Sequence, residues 1–506
     1  MKKLDSCKDW TAEQIEETYG EIEKIADGYG LTYYPNQIEI ISSEQMLDAY
    51  ASVGMPVYYS HWSFGKEFVQ NSEAYKRGQM GLAYEIVINS SPCVSYLMEE
   101  NSMAMQALVM AHACIGHNNF FKENHLFKQW TDAGSVIDMM DFTKHKIAEY
   151  EELYGIDEVE ETLDSIHALS LQGVDRYKRP PKKSKRILEQ NRKERQAFDQ
   201  ANFNDLWRTV PDSRDIMQLM FDYQKEESKK NKKFLEEPEE NLLYFLEKNA
   251  PNLPQWKREC IRMVRKISQY FYPQRLTKVM NEGWATFWHY TIVNDMYDRG
   301  LVTDGFMLEF LQSHTGVTKQ RDFEQFNPYA LGFAMFQDIK RISMNPTKED
   351  KEWFPDWAGN GDWVNTLKHA AYDYKDESFI QQFLSPKVIR DFRMFHILDD
   401  DRNKEMLVEE IHNDGGYKQI REMLAYQNNS NNFIPNIQVT DVDVWGDRHL
   451  ELEHYTTRRH SLSHDDALYT LWHLSKLWGY EVKMKTKDDL GNELETYDID
   501  ARGGKL

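Results

Sequence analysis

The sequence predicts a mainly α-helical protein of the α+β type: a large helical core with a short sheet, followed by a small C-terminal α+β module. Three observations carry this. Apolar residues recur at helical period from Asn241 to about Leu424. An apolar segment, Met103 to Ile115, stands directly behind the capping pair Asn101-Ser102. Beyond the asparagine-rich linker Gln427 to Asn436, the pattern changes from helical period to period two.

Taken in order, residues 11 to 30 have amphipathic spacing with Thr11 as N-cap. Proline and glycine punctuate the chain at Pro35 and at Gly54-Met55-Pro56. Leu82 to Asn89 is short, β-branched and closed by Ser90-Ser91-Pro92, which predicts a strand. The capped segment after Ser102 predicts a buried helix, and residues 134–170 continue in helical period. From Arg176 to Arg195 the chain is basic and poor in apolar residues, and Lys225 to Glu240 mixes both charges. Residues 176–240 therefore read as a charged connector with a short helix near Trp207, either a solvated face or a docking segment. Val279 to Met296 is a long helix of large side chains. In the C-terminal module, Ile437–Trp445 and Leu450–Thr456 predict a hairpin, Asp465–Leu477 a helix, and Glu481–Met484 with Leu494–Tyr497 a second hairpin. The predicted division is thus 1–175, 176–240, 241–426 packing back on the first part, and 437–506.

Composition narrows the function. The net charge of -22 over 506 residues repels phosphate backbones, which argues against a general nucleic-acid binder. No segment approaches the roughly 20 apolar residues that cross a bilayer, and no apolar run follows Lys2 and Lys3 to make a signal peptide. The four cysteines, Cys7, Cys93, Cys114 and Cys260, lie far apart and form no CxxC pair, so they read as reduced thiols of a cytoplasmic protein. P-loop, dinucleotide and GxSxG signatures are absent from the sequence.

Two constellations can carry chemistry. In Val109-Met110-Ala111-His112-Ala113-Cys114-Ile115-Gly116-His117-Asn118, two histidines sit in apolar surroundings and need a metal, a carbonyl or a carboxylate as partner. Their i, i+5 spacing points them apart on a regular helix, whereas i, i+4 places two ligands on one face. Sharing one ion requires the helix to end or bulge between them, and Gly116 permits a left-handed C-terminus there. In Val279-Met280-Asn281-Glu282-Gly283-Trp284-Ala285-Thr286-Phe287-Trp288-His289, a glutamate inside an aromatic helix needs a cation, a donor or a proton. Glu282 reads as a metal ligand. His289, about 10.5 Å further along the axis, reads as a distant ligand or an outer-shell group. A buried Glu–His ion pair tying two helices together is the alternative.

Asn281-Glu282-Gly283-Trp284-Ala285 resembles the helix that supplies the glutamate zinc ligand of gluzincin metallopeptidases, where it follows an edge strand and an HExxH helix. The order strand 82–89, helix 102–117, helix 279–296 is the same, which implies a zincin-like core. Ala113 stands where HExxH carries its catalytic glutamate, so a base must come from elsewhere; Glu99 and Glu100, one turn before the capped helix, are candidates, as is His289. Gln37-Ile38-Glu39-Ile40-Ile41, His61-Trp62-Ser63-Phe64-Gly65-Lys66, Ala83-Tyr84-Glu85-Ile86-Val87-Ile88-Asn89-Ser90, the Met280–His289 string and Asn327-Pro328-Tyr329-Ala330-Leu331-Gly332-Phe333 together resemble the SpoVR-like (stage V sporulation protein R) family. That resemblance runs through most of the chain. It implies a role in forming the spore cortex, a modified peptidoglycan, or in stationary-phase and stress responses, with a PrkA-type serine protein kinase system as partner.

The expectation is therefore a zinc-dependent hydrolase or acyl-transfer enzyme acting on a peptide, isopeptide or amide bond of a peptide- or peptidoglycan-like substrate. His112, His117 and Glu282 hold Zn²⁺, Glu99 or Glu100 moves the proton, and Tyr329 or His289 steadies the oxyanion. The rival is a non-catalytic scaffold in which the same histidines and glutamate form a buried network. His61-Trp62 reads as a structural pair and Asp399-Asp400-Asp401-Arg402 as a solvated turn.

Overall fold

The computed structural model describes residues 3–51, 59–63, 66, 69–70, 85–178, 190, 193–194, 234–235, 237–321, 324–394, 396–398, 404, 407–409, 413–456, 462–488 and 490–500. The body of the basic stretch, the helix expected near Trp207 and the Asp399–Arg402 turn lie outside the described residues.

The chain forms two units, residues 1–161 with 266–434, and residues 162–265 with 435–506. The first unit brings the N-terminal part and most of the central helical stretch together. The second groups 162–265 with the C-terminal strands, through the bridge Glu239–Val439 and through the packing of helix Leu242–Asn249 on strand Asn436–Val442.

In the first unit, helix α1 (Ala12–Gly28) starts where the spacing predicts. Thr11 and Gln14 form a reciprocal capping box, and Ile15, Ile22 and Ile25 give the buried stripe. A three-stranded sheet follows in the order β1 (Asn36–Ile41), β3 (Cys93–Met98), β2 (Glu85–Ile88). β3 is central and buried at all six positions; β1 runs parallel to it and β2 antiparallel, as an edge strand. Only the β2 region was predicted as a strand.

Ser102 caps helix α2 (Met103–Val109), its hydroxyl accepting from the Met105 N–H at 3.3 Å. Of the two alternatives, ending or bulging between the histidines, the helix takes the second. It widens into a π-helix over Met110–His117 and continues as an α-helix, Asn118–Glu123. Helix α3 (Lys278–Asp298) crosses this π-helix on one side and packs on α5 (Pro328–Met344) on the other, while α4 (Asp304–Thr318) lies against α2. α3 is apolar almost all round: Trp284, Phe287, Trp288, Ile292, Val293 and Met296 are fully buried. Each such side chain contributes about 1.5–3 kcal/mol of transfer free energy, so α3 anchors the unit. Its start is fixed by Asp376 of helix α6 (Asp376–Phe383), whose carboxylate accepts the Val279 and Met280 N–H groups at 2.8 and 2.9 Å.

In the second unit, strands β4 (Asn436–Val442), β5 (Leu450–Tyr455), β6 (Val482–Lys487) and β7 (Glu493–Ile499) form one sheet in sequence order. β4–β5 and β6–β7 are antiparallel hairpins, and helix α7 (His464–Trp478) makes the crossover between the parallel pair β5 and β6. The alternating burial of β4 and β5 is the period-two pattern of the sequence. No helix among the described residues is long and apolar enough to cross a membrane.

Candidate metal centre

The π-helix resolves the spacing conflict. Its backbone bonds join residue i to residue i+5, so His117 lies one turn above His112, where an α-helix would place i+4. The two imidazoles stand edge to face, with centroids 4.6 Å apart. α3 comes close enough to meet both because of small residues. A Cβ on Gly116 would stand 2.5 Å from the Ala285 Cα, and one on Gly332 of α5 would stand 2.2 Å from the Val279 carbonyl oxygen. Gly283 faces Gly332 in the same way. The Asn281–Ala285 string thereby acquires a physical reading at each position: a hydrogen-bonding amide, a carboxylate, a close-approach glycine, a core tryptophan whose Nε1–H donates to Asn119 at 2.9 Å, and an alanine that fits under Gly116.

Glu282 and a second carboxylate, Glu85 at the start of β2, flank the histidine pair. Glu282 Oε2 lies 3.8 Å from His112 Nε2 and 3.5 Å from His117 Nε2. Glu85 Oε1 lies 3.2 and 4.0 Å from the same two nitrogens. Donors bound tetrahedrally at about 2.0–2.1 Å are roughly 3.3 Å from one another, and these separations bracket that value. One atom each from Glu85, His112 and His117 lies within 4.8 Å of the others. Glu85 Oε2 and Glu282 Oε2 are buried without a hydrogen-bond partner among the described residues. The carboxylates keep 16% and 19% side-chain exposure against 4% and 7% for the histidines, so the carboxylate side is the less enclosed side of the centre.

The outward nitrogens of both histidines are tied. His117 Nδ1–H donates to Asn281 Oδ1 at 2.9 Å, and His112 Nδ1 lies 2.8 Å from His289 Nδ1, whose Nε2 lies 2.8 Å from His314 Nδ1 on α4. Burial pushes Glu85 up to about 7, with His112 opposing and Glu282 reinforcing the shift. Burial likewise raises Glu282, but the adjacent His112, His117 and Tyr329 more than offset this and hold it below the usual range. Burial lowers His117 and His314 to about 4 and His289 well below its ordinary value. His112 is raised: burial opposes its charge, and the two carboxylates outweigh that.

The structure thus brings together His112, His117, Glu282, His289 and Tyr329, whose ring stacks 6.2 Å from that of His112. Asn327 and Pro328 start the Tyr329 helix as the sequence indicates. Both nitrogens of His289 are engaged, which places it behind His112 rather than over the open face. Glu99 and Glu100 are not brought to the centre; they occupy the exposed turn after β3, where Glu100 accepts from the Ser43 N–H. Proximity in sequence to the capped helix put them forward, but the turn directs them to solvent. Sequence reasoning missed Glu85 and His314. Glu85 carried a signal, a carboxylate opening an otherwise apolar strand; His314 carried only an isolated histidine in an apolar helix. His61 is buried and hydrogen-bonded to Ser63 at 2.7 Å.

Fold and site define a mainly helical protein whose core encloses a histidine–carboxylate centre. Comparison with known proteins then gives the family. The chain matches the SpoVR like protein family over residues 9–433 and the SpoVR-like C-terminal domain over residues 435–489. It belongs to the SpoVR-like family, and the break between the two matches falls where the chain last passes from the first unit to the second, after Ile434. It is 54% identical over 498 residues to Uncharacterized protein YcgB of Escherichia coli (strain K12), covering 97% of this chain and 95% of that one. No solved structure matches.

Proposed function

We propose that the chain is a metal-dependent hydrolase or acyl-transfer enzyme of zincin-like design, acting on a peptide, isopeptide or amide bond in a peptide- or peptidoglycan-like substrate. One observation supports it most: Glu85, His112, His117 and Glu282 converge from a strand and two helices, each carboxylate within 3.2–4.0 Å of both imidazole Nε2 atoms and each with one oxygen left unpaired among the described residues. His112 and His117 offer Nε2, and Glu282 offers the Oε2 that lies too far from either imidazole for a hydrogen bond. Bound zinc supplies Lewis acidity toward a carbonyl and acidifies water. Glu85, rather than Glu99 or Glu100, takes the role of the base: one oxygen faces the histidines and the other is placed to accept a proton from water and return it to a leaving amine. Tyr329 steadies developing negative charge on a carbonyl oxygen, and Asn281 and His289 orient the two imidazoles.

A second reading, a non-catalytic scaffold, is favoured by the 3.2 Å contact of Glu85 with His112, which can stand as an ion pair. Metal analysis separates the two. The enzyme reading expects about one equivalent of transition metal per chain to survive gel filtration, and expects its loss in His112→Ala or on treatment with a strong chelator. Protein that carries no tightly held metal, or a His112→Ala variant that keeps it, leaves only the scaffold.

A further inference from the structure

We propose that His289 and His314 form a hydrogen-bonded relay that holds His112 in a single tautomer with its Nε2 lone pair toward the cation. This makes His314 a positioning residue for metal binding, and the inference rests on the metal-centre reading above.

The polarity of the chain follows from its geometry. His112 Nε2 faces the two carboxylates; to serve as a ligand that nitrogen must be bare, so the proton sits on Nδ1. Nδ1–H then donates across 2.8 Å to His289 Nδ1. His289, having accepted at Nδ1, carries its proton on Nε2, and Nε2–H donates across 2.8 Å to His314 Nδ1. Each ring has one tautomer consistent with the next. Reversing the direction protonates His112 Nε2 and removes a ligand.

His314 supplies the acceptor that this direction needs. A neutral imidazole has one donor and one acceptor, and without an acceptor at its Nε2, His289 has no reason to keep Nδ1 bare for His112. The three rings are 3%, 1% and 5% exposed, so water is a poor substitute. Aromatic neighbours fix the last ring: Phe310 stacks on His314 with centroids 5.9 Å apart, Phe333 meets it edge-on at 4.9 Å, and Tyr290 lies at 4.9 Å. His117 has the shorter arrangement, a single bond to Asn281. The two ligands are thus oriented by different devices, one through an amide on α3 and one through a relay reaching α4.

Two substitutions separate the hydrogen bond from the packing. His314→Phe keeps a ring among Phe310 and Phe333 and removes the acceptor; His314→Asn keeps an acceptor oxygen near the position of Nδ1. Zn²⁺ affinity is measured on the full chain by competition with a chromophoric chelator, and the geometry of the centre by the visible spectrum of bound Co²⁺. Loss of an outer-shell partner costs roughly 10–100-fold in metal affinity, so we expect about a 10-fold loss and altered Co²⁺ bands in His314→Phe, with most of the affinity recovered in His314→Asn. Wild-type affinity and spectrum in His314→Phe overturn the relay, as does an equal loss in both variants, which assigns the effect to packing. A wild-type chain that binds neither ion is the distinct failure: it removes the metal centre itself, and the relay with it.

Discussion

The contact that sets the centre is the approach of Gly116 to Ala285, and Gly116→Ala tests it most directly. The new Cβ would stand 2.5 Å from the Ala285 Cα and 2.8 Å from its Cβ, where ordinary contact begins at 3.4 Å. The obstructing atoms belong to a helix backbone, so no side-chain rotation relieves them. The π-helix and α3 must part by about 0.9 Å, the difference between 3.4 and 2.5 Å. His117 is the next residue, and the same displacement carries its 2.9 Å bond to Asn281 beyond hydrogen-bonding range. Overpacking costs about 1–3 kcal/mol and the lost bond about 1 kcal/mol, so unfolding in urea should show a loss of about 2–4 kcal/mol. Zinc affinity, read by chelator competition, should fall at least 10-fold or so. Gly20→Ala in α1 is the control: nothing lies within 4 Å of its Cβ, and the helix should gain about 0.5–1 kcal/mol. A Gly116→Ala chain with wild-type stability and wild-type zinc affinity would refute the argument that this approach positions the ligands.

Three further outcomes follow from the same geometry. Asn281→Ala leaves His117 Nδ1–H without its acceptor and should weaken Zn²⁺ binding by about 10–100-fold in chelator competition; no change would show that the amide does not orient the ring. Glu282→Gln should lose about 100-fold or more in zinc affinity and Glu85→Gln no more than about 10-fold, the range of an outer-shell group; the reverse order would exchange their roles. Asp350 is held down to about 2 from its ordinary 3.8: burial opposes its charge, but Arg341 and Thr347 outweigh it. A depressed carboxyl stabilises the fold above its unfolded value and loses that contribution as pH falls from 3.8 through 2. Acid unfolding should therefore steepen in that window, by about 1 kcal/mol after screening, and Asp350→Asn should flatten it; an identical acid limb in the variant would count against the pairing.

How legible all this is depends on where each signal is stored. Local signals are read well: the Thr11 and Ser102 caps, the α3 helix and the period-two strands after Asn436 stand where chain-neighbour chemistry puts them. β3 escapes because six consecutive buried positions show no alternation, and β1 because only its pairing with β3 makes it a strand. The π-helix is hidden in a different way. Its i, i+5 histidines are visible, but an α-helical ruler reports them as divergent, and the widening is stabilised by tertiary contact with α3 rather than by any propensity. Glu85 is hard to read from sequence because one charged position in a short strand is compatible with a solvated face. Its burial comes from the π-helix laid against β2. His314 meets His289 only after two helices pack, and no sequence period encodes that.

The way this chain treats its other buried acids bears on what the centre is for. Glu247 is anchored by Lys248, Arg262 and Arg265 at 2.8, 3.0 and 3.2 Å. Asp350 is bonded by Arg341 and Thr347 on both oxygens, and Asp376 by the N–H groups that open α3. Each is a structural carboxylate with its charge answered by a fixed donor. Glu85 and Glu282 are treated otherwise. No arginine or lysine meets them among the described residues; they face two imidazoles, of which burial holds His117 toward the neutral form, and each keeps a buried oxygen without a partner among the described residues. An unsatisfied buried acceptor costs about 1–3 kcal/mol, so the pair costs about 2–6 kcal/mol in a fold whose total stability is of order 5–15 kcal/mol. Structural carboxylates of this chain largely avoid that cost: Asp338 does keep a buried Oδ2 without a partner among the described residues, but a charged arginine, Arg341, holds its other oxygen at 2.7 Å. A cation seated beside the imidazoles and Glu282 Oε2 removes that oxygen's share of the cost and leaves Glu85 Oε2 free for proton transfer, which is the physical reason for preferring a ligand-binding centre to a scaffold.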